Sequence, residues 1–126
     1  MQAVTQLTDD AVPKMPLLNL ASDGTRIYFN EGEKGSMKIA QVAASGGPTA
    51  LLPVKMFSPQ LEALSADGAS LLALEVSSQF SPYALWKIPL PVGEPRLFPG
   101  LDAQDAAYFP DGRILFAGSK AHAKSL

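Results

Sequence analysis

Asp-Gly occurs three times, at Asp23-Gly24, Asp67-Gly68 and Asp111-Gly112, and successive copies stand 44 residues apart. With 7 aspartates and 10 glycines among 126 residues, chance supplies roughly 0.6 such pairs, so equal spacing marks an internal duplication. The flanks agree. "LASDGTRIYF", "LSADGASLLAL" and "YFPDGRILFA" each place a short apolar segment, the dipeptide, then a second apolar segment.

A period near 44 suits four-stranded blades and also paired-helix repeats. Helices are set aside because eleven prolines and ten glycines punctuate the chain, leaving no 12-residue window with clean helical periodicity. The dipeptide itself suits a two-residue type I′ hairpin, in which both central residues take positive φ; Asp tolerates that conformation and Gly adopts it freely. After each turn come Ile27-Tyr28-Phe29, Leu71-Leu72-Ala73 and Ile114-Leu115-Phe116. Strands apolar on both faces belong to a sheet stacked between two others. The third copy is one residue shorter after the turn, which would reverse its faces if the turn type were kept.

Between the turns, "MKIAQVAASGGPTALLP" (37–53) parallels "ALWKIPLPVGEPRLFPG" (84–100), each a strand, a Gly-containing turn and a short outer strand. Pro89 and Pro91 lack the amide hydrogen of a central strand, so that stretch reads as an edge or strand end. Expected strands are 17–21, 25–30, 38–43 and 49–52, then 60–65, 70–76, 84–89 and 96–98, then 105–109 and 113–117. The expected fold class is all-β, with about two and a half to three four-stranded antiparallel blades. The whole chain is read as one partial domain: 1–16 the end of a preceding blade plus linker (with 3–8 its outer strand), 17–59 a blade, 60–104 a blade, 105–126 the start of a third and a tail.

The pattern of apolar strand, "SDGTRIYF", strand, "GGP" or "GEP", then short outer strand resembles the repeat of TolB-like propellers, the WD-repeat-like modules of bacteria. Their F-S-P-D-G turn is matched best by Phe109-Pro110-Asp111-Gly112 and departs to Ala21-Ser22-Asp23-Gly24 and Ser65-Ala66-Asp67-Gly68. "DGTRIYFNEG" with "KIAQVAASGGPTAL" is similar to propellers fused to winged-helix transcriptional regulators or membrane-anchored kinases. The resemblance implies a non-catalytic interaction or sensor module of a signalling protein, binding a protein or small ligand. Two alternatives stand beside it: an accessory propeller of a prolyl-oligopeptidase-like hydrolase, or a truncated fragment with no role of its own. The resemblance also implies a periplasmic setting for a membrane-anchored sensor or TolB-like protein, and a cytoplasmic one otherwise.

Closed propellers have about 4 to 8 blades, so fewer than three periods leave open blade faces. The expected partners are the remaining blades of the same propeller, a protein partner, or further copies joined through those faces. A net charge of -2 with no Lys/Arg cluster argues against nucleic acid. Cysteine is absent, which removes thiolate chemistry. The N-terminus lacks the pattern of a signal peptide, and no apolar run reaches membrane-spanning length.

No catalytic residue, metal ligand or cofactor is assigned. Asp23, Asp67 and Asp111, with Gly24, Gly68 and Gly112, are read as structural turns, because all three pairs share a position that backbone sterics explain. No Asp-x-Asp-x-Asp calcium loop occurs. The pairs Asp9-Asp10 and Asp102/Asp105 read as solvated loops, and the single histidine, His122, sits in a polar tail with no G-x-S-x-G elbow elsewhere. "GEKGS" (32–36) and "SGGP" (45–48) lack phosphate-loop spacing. Trp86 and Tyr83 read as blade packing. The loops Glu31 to Ser36 and Ser77 to Tyr83 differ most between copies and are the candidate ligand-binding loops.

Overall fold

The structure, a computed structural model, describes residues 19–33, 35–75, 83–91, 93–99, 101 and 103–118. The expectations for 1–16, Asp9-Asp10, most of the Ser77 to Tyr83 loop, Asp102 and the His122 tail fall outside these residues.

Ten strands form three antiparallel sheets among the described residues. The first sheet is β1 (Ala21–Ser22), β2 (Arg26–Glu31), β3 (Lys38–Ala43) and β4 (Ala50–Leu51), in chain order. The second repeats it with β5 (Pro59–Leu64), β6 (Ser70–Glu75), β7 (Ala84–Pro89) and β8 (Arg96–Leu97). The third holds β9 (Ala103–Tyr108) and β10 (Ile114–Gly118). The first strands β1, β5 and β9 adjoin one another, so the sheets converge on that side. No described segment is a helix long and apolar enough to cross a membrane. The architecture is an incomplete β-propeller.

Stacking explains the double-faced strands. In β6, Leu71, Leu72 and Ala73 have 0% exposure. Leu71 and Ala73 pack with Tyr28, Ile39, Leu61 and Ile88 between the first and second sheets. Leu72 and Leu74 pack with Leu85, Ala103 and Ala106 between the second and third. Each leucine buried this way contributes about 1.5–3 kcal/mol, so the middle sheet depends on both neighbours. Trp86 packs against the first of these clusters and Tyr83 against the second.

Polar groups tie the sheets where strand pairing cannot. As the first strand of its sheet, β5 has backbone groups that point away from β6 with no strand beside them. The buried Asn30 amide supplies partners for two: Nδ2 donates to the Pro59 carbonyl at 2.8 Å, and Oδ1 accepts from Leu61 N–H at 2.8 Å. Nδ2 also lies 3.2 Å from the Lys38 carbonyl. Asn19 extends the tie, donating to the Leu61 and Glu62 carbonyls at 3.3 and 3.0 Å.

The Asp-Gly turns correct the type I′ expectation. Positive φ occurs at Gly24 (90°), Gly68 (73°) and Gly112 (93°) but at none of the three aspartates. In the second copy, Gly68 N–H donates to the Ser65 carbonyl, and Ser65 N–H to the Ser70 carbonyl, both at 2.9 Å, closing a four-residue loop. In the third, Gly112 N–H donates to the Phe109 carbonyl and Phe109 N–H to the Arg113 carbonyl, closing a three-residue loop. A turn of type I character followed by a left-handed glycine describes both. In the first copy Asp23 N–H lies 3.4 Å from the Arg26 carbonyl, leaving only Gly24 and Thr25 between them. The aspartates keep negative φ because their side chains make the turn's bonds instead: Oδ1 accepts from the N–H two residues on, at Thr25, Ala69 and Arg113.

Loop length therefore absorbs the missing residue of the third copy. Ile114 pairs with Tyr108 as Leu71 pairs with Leu64, and Ile114 and Phe116 pack toward the second sheet as Leu71 and Ala73 pack toward the first. In the first copy Ile27 pairs with Ser22, a slip of two residues against the second copy. An even slip preserves facing. Among the described residues β1 spans Ala21–Ser22, where a strand was expected over 17–21.

Candidate functional site

The three turns lie along one end of the sheets. A Cβ added at Gly68 would come within 3.1 Å of Asp23 Oδ2, so the first turn abuts the second. Between the second and third turns opens a cleft of about 480 Å³, within the range of small-ligand pockets.

The second sheet contributes Asp67 on its turn, Ser70, Lys87 on β7 and Arg96 on β8, and the third contributes Tyr108 and Asp111. The strands place these groups. Lys87 lies two residues from Leu85 and shares its face toward the third sheet, and Arg96 is its direct cross-strand partner. Tyr108 closes β9, where its hydroxyl meets Ser70 Oγ at 2.8 Å. Burial raises the Tyr108 pKa, and the Asp67 charge adds to that while the Ser70 bond opposes it.

Each aspartate is committed to its turn. Asp67 Oδ1 accepts from Ser65 Oγ at 2.7 Å and from Ala69 N–H at 3.0 Å; those bonds, in that order, hold its carboxyl below the usual range, with Lys87 adding a smaller effect. Asp23 is likewise lowered, by the backbone N–H groups of Arg26 and Thr25. Asp111 bonds Arg113 N–H at 3.0 Å, and its Oδ2 meets Arg113 Nε at 2.8 Å. Arg113 in turn lies over the Phe109 ring, 4.8 Å from its centre. Ser65 Oγ has the Asp67 carboxylate as its acceptor, but a carboxylate kept ionised and hydrogen-bonded is a poor proton acceptor. Charged and hydrogen-bonding side chains thus line the cleft.

A second carboxyl pair stands elsewhere, at a β-bulge in β5. There the register shifts between Leu61 and Ala63, and the bulged Glu62 reaches the third sheet, accepting from Ala106 N–H at 3.1 Å beside Asp105 Oδ1 at 2.9 Å. Burial, then the Asp105 carboxyl, push Glu62 up to about 8. Asp105 is exposed, as a solvated residue would be, but it lies in β9 opposite Ala117 rather than in a loop, in line with the expected strand 105–109; pairing begins two residues earlier, at Ala103, which also bridges to Tyr83. Among the described residues no group of three or more potential ligands could hold a metal.

The cleft was not legible as a site. Sequence differences between copies drew attention to the Glu31 to Ser36 and Ser77 to Tyr83 loops, but antiparallel pairing puts the β2–β3 and β6–β7 connections at the opposite end of the strands from the Asp-Gly turns. Lys87 and Arg96 are 9 positions apart in sequence, and only strand register makes them neighbours.

The chain matches no family model and no curated protein. Stacked four-stranded antiparallel sheets converging at their first strands define it as a partial β-propeller. Among solved structures it is similar to a protein assigned as TolB from Agrobacterium tumefaciens, with a TM-score of 0.67 and 22% identity over 79% of this chain. It has the fold of a partial TolB-like propeller, and spans 36% of the length of that chain.

Proposed function

We propose that this chain is a non-catalytic β-propeller interaction or sensor module that binds a protein or small ligand as part of a larger regulator or signalling protein. One observation carries the reading: a cleft of about 480 Å³ that bears side-chain charges of both signs lies between successive blades. Loops and turns at the end of a stacked scaffold are where such proteins place recognition. The larger TolB-like neighbour supports the view that these blades act within a longer propeller.

The test is selection of phage-displayed peptides on the immobilised chain, followed by binding to Lys87→Glu and Asp67→Asn/Asp111→Asn variants that retain wild-type thermal melts. Binders lost by these variants support the reading. Binders indifferent to all of them would place recognition elsewhere. Turnover of ester or prolyl-peptide substrates, abolished by substitutions in the cleft, would overturn the non-catalytic assignment.

A further inference from the structure

Lys87 and Arg96 are direct cross-strand partners near the edge of the second sheet and line the same cleft. Like charges placed opposite each other destabilise a sheet. The corresponding pair in the first sheet, Gln41 and Ala50, carries no charge, so the blade does not need this arrangement to fold. Neither cation has a hydrogen bond or ion pair within 4 Å among the described residues; the nearest compensation is the longer-range attraction between Lys87 and Asp67. Two unneutralised cations in a concave site form a subsite for an anion.

The two carboxylates that line the same cleft restrict which anion. Asp67 is held ionised by Ser65 and Ala69 N–H, and Asp111 stands beside it on the next turn, its charge partly offset by Arg113. A dianion entering the cleft would meet those carboxylates at close range. A single carboxylate attached to a hydrogen-bonding or cationic body matches this mixed lining, its charge met by Lys87 and Arg96 and its body by the carboxylates of the turns. The guanidinium fork of Arg96 suits bidentate capture of a carboxylate. Tyr108 and Ser70 hydroxyls, already bonded to each other, keep capacity for a further bond each.

We propose that this cleft binds the free carboxylate of a short peptide or amino-acid-like ligand, with Lys87 and Arg96 as the anion subsite. The proposal rests on the interaction-module reading and names its ligand chemistry. Triglycine is the probe, compared with triglycine amide, acetate and inorganic phosphate, and binding is followed through backbone amide shifts in NMR titrations of the whole chain. Triglycine should shift Ala69, Lys87 and Gly112 saturably. The amide should bind at least tenfold more weakly, as should triglycine to Lys87→Gln and Arg96→Gln. Acetate binding nearly as well as triglycine would identify a small carboxylate as the ligand; acetate binding far more weakly would identify a peptide terminus.

Folding of the variants has its own readout. Arg96→Gln should raise the melting temperature at low salt without ligand, because it removes a repulsion, and should lose all stabilisation by triglycine. Equal binding of triglycine and its amide, tighter binding of phosphate, or no saturable shift from any probe would overturn the proposal. If selected peptides still depend on Lys87 while their amidated forms bind equally, the interaction reading survives and the carboxylate assignment falls.

Discussion

Asn30 offers the sharpest test of how the blades are joined. It is 2% exposed, and its amide satisfies the Pro59 carbonyl and the Leu61 N–H at the unpaired edge of β5. Asn30→Leu leaves both groups buried without partners, at about 1–3 kcal/mol each, so a loss of about 2–6 kcal/mol is expected. Asn30→Asp separates the two bonds. At pH 7 the carboxylate still accepts from Leu61 N–H, but it can donate nothing to the Pro59 and Lys38 carbonyls and it buries a charge. Burial and the facing carbonyls raise its pKa in the folded state above the unfolded value of about 3.9. Stability linked to that group is therefore complete below the unfolded value and is lost as pH rises through the folded one. The assay is urea unfolding of wild type, Asn30→Leu and Asn30→Asp at pH 7 and pH 4, read by fluorescence of Trp86, which packs against the same cluster. The deficit of Asn30→Asp should shrink by at least about 1.4 kcal/mol at pH 4, the equivalent of one pKa unit, while that of Asn30→Leu stays constant. An Asn30→Leu protein within about 0.5 kcal/mol of wild type, or equal deficits for Asn30→Asp at both pH values, would refute the bridging role.

Other consequences are open to measurement. Gly68→Val should cost about 2–3 kcal/mol in chemical unfolding, because a β-branched residue would be forced to φ 73°, whereas Asp67→Asn, which retains an acceptor for Ala69 and Ser65, should leave the unfolding midpoint near that of wild type; comparable losses would reveal a charge-dependent role for Asp67. Glu62, held at about 8 against an unfolded value near 4.3, stabilises fully at low pH and loses that contribution as pH rises through about 8. Relative to Glu62→Gln, wild type should weaken between pH 5 and 9 by on the order of 1 kcal/mol after solvent screening, and parallel pH profiles for the two proteins would contradict the burial argument. Tyr108→Phe should cost about 1 kcal/mol through loss of the Ser70 bond, a value read from thermal melts, while Ser70→Ala in that background should cost little more.

Strand positions were legible because apolar runs and Asp-Gly pairs report local geometry: β3 and β7 were expected within a residue of Lys38–Ala43 and Ala84–Pro89. What escaped depends on relations between strands. Asn30 ends an apolar run and opens a polar stretch, so it reads as the last residue before a loop, and nothing in its neighbours tells that its partners lie 29 and 31 positions away. Glu62 has the same difficulty, since a bulge in β5 is a property of the pair β5–β6. The turn type was misread because the dipeptide permits more than one conformation; the choice fell to the aspartate side chain, which bonds the chain two residues ahead instead of bending its own backbone.

That bond has a consequence for how such a chain can change. The same dipeptide closes loops of two, three and four residues here, because a carboxylate reaching the N–H two positions on does not depend on what closes behind it. Length at this rim is thereby uncoupled from the parity of the strands. A residue can be gained or lost beside the cleft without turning a core leucine to water, so the outline of the rim can vary from blade to blade over an interior that stays in step.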